Sequence, residues 1–520
     1  MRKKMGKKFL TSMCIIALIS GVLVGCGKNE EKAPAASEGE KDPAATTAAT
    51  DAPKEPFKFT IMTNLHTPEV PVDDIEKLIE EKTNTNLTIN WVPDGSYEEK
   101  LNATFATGSL PQAVYMKNQA TYLLFRDAIR NGQFWEIGPL LKDYPNLSSL
   151  DEVVVKNTAV DGKVYAVYQE RPLSRQGVIY RKDWLDNLGL SAPTTVDEFY
   201  NMLKQFKDGD PDKNGKNDTI GLTDRSDLVY GAFKTIGSYF GTPNNWGLLD
   251  GKLQPEFTFP QYKETLNFFK KLHTEGLINQ DFPVTSKEDQ QNLLITSKAG
   301  AYVGSMADVQ SLNAKTIEVN PNAVFDVANA VKGPDGKTGI WSIPGYANLV
   351  LFPKSSVKSE EELKNILAFF DKLMDPELAN LVKWGVEGKH YNLVEGGLVQ
   401  KVDDVKLTDR EQKPYEILQI GGESTIDMLK AFNKLPAKAK AEELILQNNT
   451  MLINDPTAAL DSKTFGEKGV ELQQIITDAT YRYILGDLDE AGFDKEIARW
   501  MKNGGEQIIA EYNDSLAKSQ

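Results

Sequence analysis

Cysteine is almost missing from this 520-residue chain, which has only Cys14 and Cys26. If the first leaves with a leader and the second is modified, no thiol remains for a disulfide, a zinc cage or a nucleophile. Histidine is nearly as scarce. His66, His273 and His390 are the full set, none pairs with another at metal-ligand spacing, and no H-E-x-x-H occurs, which excludes a zincin-type protease. There is no G-x-S-x-G nucleophile elbow. Gly333-Pro-Asp-Gly336-Lys337-Thr338 imitates a phosphate loop, but its glycines are too close together, and it reads as a turn between strands. A glycosidase needs two carboxylates facing one bond. Among 74 acidic residues chance pairs are plentiful, so they carry no positive case for catalysis. After Val24 no apolar run reaches spanning length. Positive charge is also in deficit. The net charge of −15 falls to −20 once residues 1–25, which carry five basic groups and no acidic one, are removed. Such a surface argues against nucleic acid or an anionic lipid face as partner.

What is present begins at the N-terminus. Arg2, Lys3, Lys4, Lys7 and Lys8 precede an apolar run from Phe9 to Val24. This is the layout of a secretory signal, too short for a permanent span. Leu23-Val24-Gly25-Cys26 resembles the bacterial lipobox, so residues 1–25 are expected to be cleaved and Cys26 to carry a diacylglycerol. The address is then the outer face of the cell membrane. Residues 26–56, rich in Ala, Thr, Pro, Lys and Glu without an aromatic before the last strand signal, read as a solvated tether.

From Phe57 onward the chain is long enough for two large domains. Phe57-Lys-Phe59-Thr-Ile61-Met62 alternates like a strand. Asp73 to Thr83 carries Ile75, Leu78 and Ile79 on one helical face. Leu87, Ile89 and Trp91 alternate again, Ser96-x-x-Glu99 has capping-box spacing, Leu110 to Met116 reads as a strand and Tyr122 to Arg130 as a helix. This order predicts an α/β fold with a mainly parallel sheet. Later, Val164–Val167 and Gly177–Tyr180 read as strands, Thr195-x-x-Glu198 caps a helix through Phe206, and Gln261 to Glu275 forms another that Gly276 terminates.

The sharpest local motif is Asp210-Pro-Asp212-Lys-Asn214-Gly215-Lys216-Asn-Asp218. Oxygen side chains stand at positions one, three, five and nine, with glycine at six and a carbonyl available from Lys216. That is the spacing of a loop that wraps a calcium ion, and a solvated Asp/Asn/Gly turn is the plainer alternative. Position twelve, usually a bidentate glutamate, is Gly221. Any calcium here is expected to be structural.

Several stretches carry a resemblance. They are Val160-Asp161-Gly162-Lys163-Val164-Tyr165-Ala166-Val167, Ile179-Tyr-Arg-Lys-Asp-Trp184-Leu-Asp-Asn-Leu-Gly189-Leu190 with Pro193-Thr-Thr195 and Glu198-Phe199, Lys271 to Ile278 with Asp281-Phe282, Trp384 to Tyr391, and Gly504 to Asn513. Together these resemble the extracellular solute-binding proteins of carbohydrate ABC importers, most closely the LplA-like lipoprotein branch of Gram-positive bacteria. The resemblance implies two α/β lobes in a periplasmic-binding-protein-like fold, joined by hinge strands around a cleft. Residues 57–172 and 340–395 are assigned to the first lobe, 173–339 and 396–520 to the second. It also implies a carbohydrate ligand, a structural calcium held by Asp210, Asp212, Asn214, Lys216 and Asp218 as in relatives that bind acidic oligosaccharides, ABC permease subunits as partners, and a monomer. Two departures stand out. Thr219 follows Asp218 where such relatives place a glutamate ligand, and Gln112 in Leu110-Pro111-Gln112 replaces the family's aspartate.

A sugar offers an apolar C–H face and a rim of hydroxyls, so its receptor needs flat aromatics and planar polar groups. Trp184, Trp500, Trp91 and Trp135 read as packing. Trp246, Trp341 and Trp384, together with Tyr346, lie beside Gly or Pro and are the aromatic candidates. Asn64, His66, Arg171, Arg175, Asp308 and Glu387 are the polar ones. A secreted lyase or hydrolase and a surface sensor or lectin remain as alternatives to the importer receptor.

Overall fold

The computed structural model describes residues 55–519. The leader, Cys26 and the tether up to residue 54 lie outside the described residues. Among the described residues no helix is long and apolar enough to cross a membrane.

The alternating segment at the start forms the strand Phe57–Leu65. It pairs in parallel with Thr85–Pro93 from Phe57↔Thr85 to Leu65↔Pro93, and with Ala113–Met116 on its other side. The helices Asp74–Thr83 and Tyr97–Ala106 make the crossovers that parallel strands require. Tyr346–Leu351 then pairs antiparallel with both Ala113–Met116 and Ala166–Glu170. Four of the five strands therefore run the same way, and Tyr346–Leu351, which enters after the second-lobe segment, is the one antiparallel insertion in a mainly parallel sheet. A second sheet runs in the order Phe325–Ala328, Gln176–Arg181, Ala299–Ser305, Ile220–Thr223. Only its last pair is parallel.

Each sheet has its own core. Phe59, Ile61, Tyr115, Val167, Val350 and Phe370 belong to the first, and Tyr180, Trp184, Phe206, Phe269 and Ile476 to the second. The chain passes between them at 171–175, again between Ile340–Trp341 and Tyr346–Leu351, and a third time after Met428. The last crossing comes later than the sequence assignment of 396 onward to the second lobe. Tyr415, Ile417, Leu418, Ile420, Ile426 and Met428 pack into the first core. The following helix, Pro436–Gln447, places Ala437, Ala441 and Ile445 against Ile179 and Met306 of the second lobe.

Local chemistry fixes the elements. The Thr195 hydroxyl accepts the Glu198 amide at 3.2 Å, and the Glu198 carboxylate returns to the Thr194 amide at 2.8 Å. A side-chain cap of this kind contributes roughly 0.5–2 kcal/mol. Ser96 does start its helix, but without a side-chain cap bond. The expected helix from Tyr122 to Arg130 is two short ones, Gln119–Leu124 and Arg126–Arg130, broken at Phe125. Gly276, at φ +63°, follows the helix Pro260–Thr274 and turns the chain where a side chain would be strained. Gln112 accepts the Thr60 amide at 2.9 Å and donates to Glu362 at 2.6 Å. It thus ties strand to helix within one lobe, a second bond that a carboxylate could not donate.

Candidate functional site

The strands Phe57–Leu65, Ala113–Met116 and Ala166–Glu170 all end at the edge of the first sheet where the chain crosses over. In the second sheet, Ile220–Thr223 and Ala299–Ser305 end at the edge where Gln176–Arg181 begins. In open α/β sheets ligands collect beyond such carboxyl ends. The side chains found there are the candidate site.

On the first wall Asn64 Nδ2 bonds Asp94 Oδ1 at 2.8 Å and His66 Nε2 at 2.9 Å. Lys117 lies 3.9 Å from Asp94 and 3.6 Å from Glu98. Asn64 Oδ1 is buried and has no hydrogen-bond partner within the protein. The sequence signal for Asn64 and His66 leads here, while Asp94 and Lys117 were not singled out. They sit at the ends of the next two strands and could have been found by the same rule.

On the second wall Arg225 donates to Asp227 at 3.1 Å and to the Tyr230 carbonyl at 2.7 Å. Asp227 accepts the amides of Val229 and Tyr230. That fixes a tight turn which leaves Tyr230 52% exposed. The Tyr302 hydroxyl donates to Asp308 at 3.1 Å, and Lys287 stands 3.8 Å from the same carboxylate. Asp224 is buried, and its carboxylate accepts the Ala232 amide at 2.9 Å. Burial pushes its pKa up to about 7. Sequence reasoning missed Tyr230 and Arg225 because the strand before them is four residues long and overlaps the calcium-like loop.

Trp341 is buried. Its indole donates to Thr235 at 3.0 Å, and its ring meets that of Tyr230 edge-on at 5.7 Å. It therefore props the exposed aromatic rather than presenting itself. Arg171 and Arg175 lie on the first crossing. Arg175 is half-buried, and its pKa is lowered by burial first and by Arg171 second, against the pull of Asp308 and Glu442. Ser174 Oγ, Gln176 Oε1, Ser305 Oγ, Asn348 Oδ1 and the Tyr346 hydroxyl, all near the crossings, lack partners within the protein. Burial pushes the Tyr346 phenol up to about 12.

The other two tryptophans lie elsewhere. Trp246 is buried with its ring 4.9 Å from Tyr512, beside a cavity of about 700 Å³ that Arg126 and Asp455 also line. Trp384 packs with Tyr391 and Val399 in a small separate core, and its indole donates to the Leu429 carbonyl at 3.1 Å. Glu387 bridges to Tyr391 in the same hairpin region. None of their contacts reaches the Arg171–Arg175 group.

In the loop at 210–218, Asn214 Nδ2 donates to Asp212 at 2.8 Å and to Asp218 at 3.1 Å, while Asp210 Oδ1 accepts the Asn214 amide at 3.0 Å. Lys298 pairs with Asp218 at 3.0 Å. Among the described residues no three His, Cys, Asp or Glu side chains form a ready metal cage. Gly221 lies within the strand Ile220–Thr223, where an added Cβ would come 2.5 Å from the Leu203 carbonyl oxygen. Packing thus forbids a glutamate at position twelve.

Two α/β lobes joined by three crossings, with polar and aromatic groups gathered where they meet, define a hinged binding protein. The chain belongs to the family of bacterial extracellular solute-binding proteins, whose profile matches residues 70–379, more than half its length. It is 42% identical to the polygalacturonan/rhamnogalacturonan-binding protein YtcQ of Bacillus subtilis, over 99% of this chain and 100% of that one. It is 36% identical to lipoprotein LipO of the same organism over 100% of both. An extracellular solute-binding protein from Bifidobacterium longum subsp. infantis has the same fold, with a TM-score of 0.67 at 17% identity over 89% of this chain and 98% of that one.

Proposed function

We propose that this protein is a lipid-anchored receptor that captures an oligosaccharide between its lobes and delivers it to the permease of an ABC importer. The observation that carries the reading is the set of unpartnered polar groups at the lobe crossings, next to the propped, exposed ring of Tyr230. Groups of this kind cost free energy until a ligand hydroxyl satisfies them. Because they lie on the crossings, ligand contacts there differ between open and closed states, which is what shifts a hinge equilibrium. The name of the 42%-identical relative supports an oligosaccharide of the polygalacturonan or rhamnogalacturonan type. The work is binding without turnover, so polysaccharides should be left uncut. A panel of such oligosaccharides should raise the melting temperature and shrink the scattering radius. If no glycan does either, the reading falls.

Two finer parts of the reading have separate tests. Cys26 carries the lipid, so Cys26→Ala should release the protein into the medium. The loop at 210–218 binds calcium structurally through Asp210, Asp212, Asn214, Asp218 and the Lys216 carbonyl. Rotating the Asn214 amide would turn its oxygen to the point where Asp212 and Asp218 converge, an arrangement that only a cation would stabilise. Calorimetry of chelator-treated protein should give a binding heat with calcium that Asp212→Ala abolishes. The absence of heat in the unsubstituted protein would remove this claim.

A further inference from the structure

Among the described residues, four arginines are buried or half-buried: Arg126, Arg175, Arg181 and Arg225. Three have a carboxylate partner. Arg126 meets Asp461 at 3.1 Å, Arg181 meets Asp183 at 2.6 Å and Arg225 meets Asp227 at 3.1 Å. Arg175 has none. The titratable groups acting on it are Arg171, Asp308, Tyr230 and Glu442. Both carboxylates are committed to other donors, Asp308 to Tyr302 and Lys287, and Glu442 to Lys438. A partly desolvated guanidinium is left with its fork of donors unused and a second cation beside it.

We propose that Arg175, with Arg171 behind it, receives a carboxylate of the bound sugar while the ring of that uronate unit lies on Tyr230. This rests on the oligosaccharide reading above and specifies the charge of the ligand at that site. Guanidinium and carboxylate match bidentately, which a hydroxyl rim does not. The chain is acidic overall, so the unpaired cations are a local feature and not part of a general basic field. The platform is prearranged: Tyr230 is held by Asp227 and Arg225 through its backbone and by Trp341 through its ring. The position also joins capture to closure. The Arg171 amide donates to the Gly345 carbonyl of the second crossing at 2.9 Å, and the Arg175 carbonyl accepts the Met306 amide at 2.8 Å. A ligand anion held here therefore pulls on backbone shared by two hinge segments and the second-lobe sheet.

The test compares trigalacturonate with its fully methyl-esterified form by calorimetry. The unsubstituted protein should prefer the acid by about tenfold to a hundredfold, the range of a charged hydrogen-bonded contact. Arg175→Met should erase that preference while keeping affinity for the ester, and Arg175→Lys should restore part of it. Tyr230→Ala should weaken both forms. Equal binding of acid and ester by the unsubstituted protein, which needs no variant, would overturn the proposal. So would an Arg175→Met variant that loses both forms alike, since Arg175 would then be a hinge residue only. Binding of neutral glycans alone sinks this subsite but leaves the receptor reading standing. Binding of no glycan sinks both.

Discussion

Two pairs of arginines stand at the boundary between the lobes, and their surroundings are opposite. Arg126 and Arg130 project from one short first-lobe helix toward the loop before the long second-lobe helix Lys463–Leu485. Arg126 donates to the Leu460 carbonyl at 3.2 Å, the Ala458 carbonyl at 3.3 Å and Asp461 at 3.1 Å. Arg130 holds Asp161 at 3.0 and 3.1 Å and also contacts Asp461. Its pKa is raised, chiefly by the Asp161 bond. Arg171 and Arg175 share the same boundary but have no such acceptors, and the pKa of Arg175 moves the other way through burial. A guanidinium that already holds several acceptors is a joint, because those bonds are made in the free protein. One without them is a receiver, because its best bond is still to come.

The largest test of this contrast is stability. Arg126→Ala should cost about 2–3 kcal/mol, since it strands the Leu460 and Ala458 carbonyls and leaves Asp461 to Arg130 alone. Arg175→Met should stay within about 1 kcal/mol of the parent or exceed it, because it removes an unpaired, partly desolvated charge. Urea unfolding of both variants without sugar reads the difference. Equal losses would break the contrast and make both pairs structural.

A second test asks whether the same logic holds for an acid. Asp224 is buried beside Arg225, which bonds Asp227 instead. Its folded pKa of about 7 lies above the unfolded 3.8. The native state therefore binds more protons between these values, so the group's contribution is fully present below pH 3.8 and is lost as pH rises through 7. Asp224→Asn keeps an oxygen for the Ala232 amide but cannot ionise. It should raise the urea midpoint at pH 8 by an amount equivalent to at most a few kcal/mol and change little at pH 4. A parent and variant with parallel pH profiles would mean that Asp224 ionises freely and is paired after all.

Legibility in the sequence followed the physics of each signal. Period-two alternation found Phe57–Leu65, and the turn signal at Gly276 closed the helix Pro260–Thr274, because both are set by local backbone chemistry. The stretch 413–428 escaped because Lys413–Leu418 is a short 3-10 helix with no amphipathic period, so the lobe that buries Tyr415 and Leu418 could not be read. At the site, Arg171 and Arg175 were legible as charged residues near a strand end. Trp246 and Trp384 stand apart from the Arg171–Arg175 group, because Gly and Pro neighbours mark where a loop lies and not which way a ring faces; Trp246 instead lines a cavity with Arg126 of the first lobe. Tyr230 was invisible for the converse reason: its exposure depends on Trp341, more than a hundred residues away in sequence.

The smallest expected effect separates the two members of the bonded pair, Arg126 and Arg130. Arg126 is nearly enclosed, whereas Arg130 and its partner Asp161 are open to solvent. An exposed pair contributes about 0.2–1 kcal/mol and is weakened by salt, while an enclosed one is screened little. Arg130→Ala should therefore lower the urea midpoint slightly at low ionic strength and negligibly in 1 M sodium chloride, with Arg126→Ala costly in both. If Arg130→Ala stays costly in high salt, Arg130 shares the Asp461 joint fully with Arg126, and the lobe contact is a three-charge unit rather than one buried bond with an exposed neighbour.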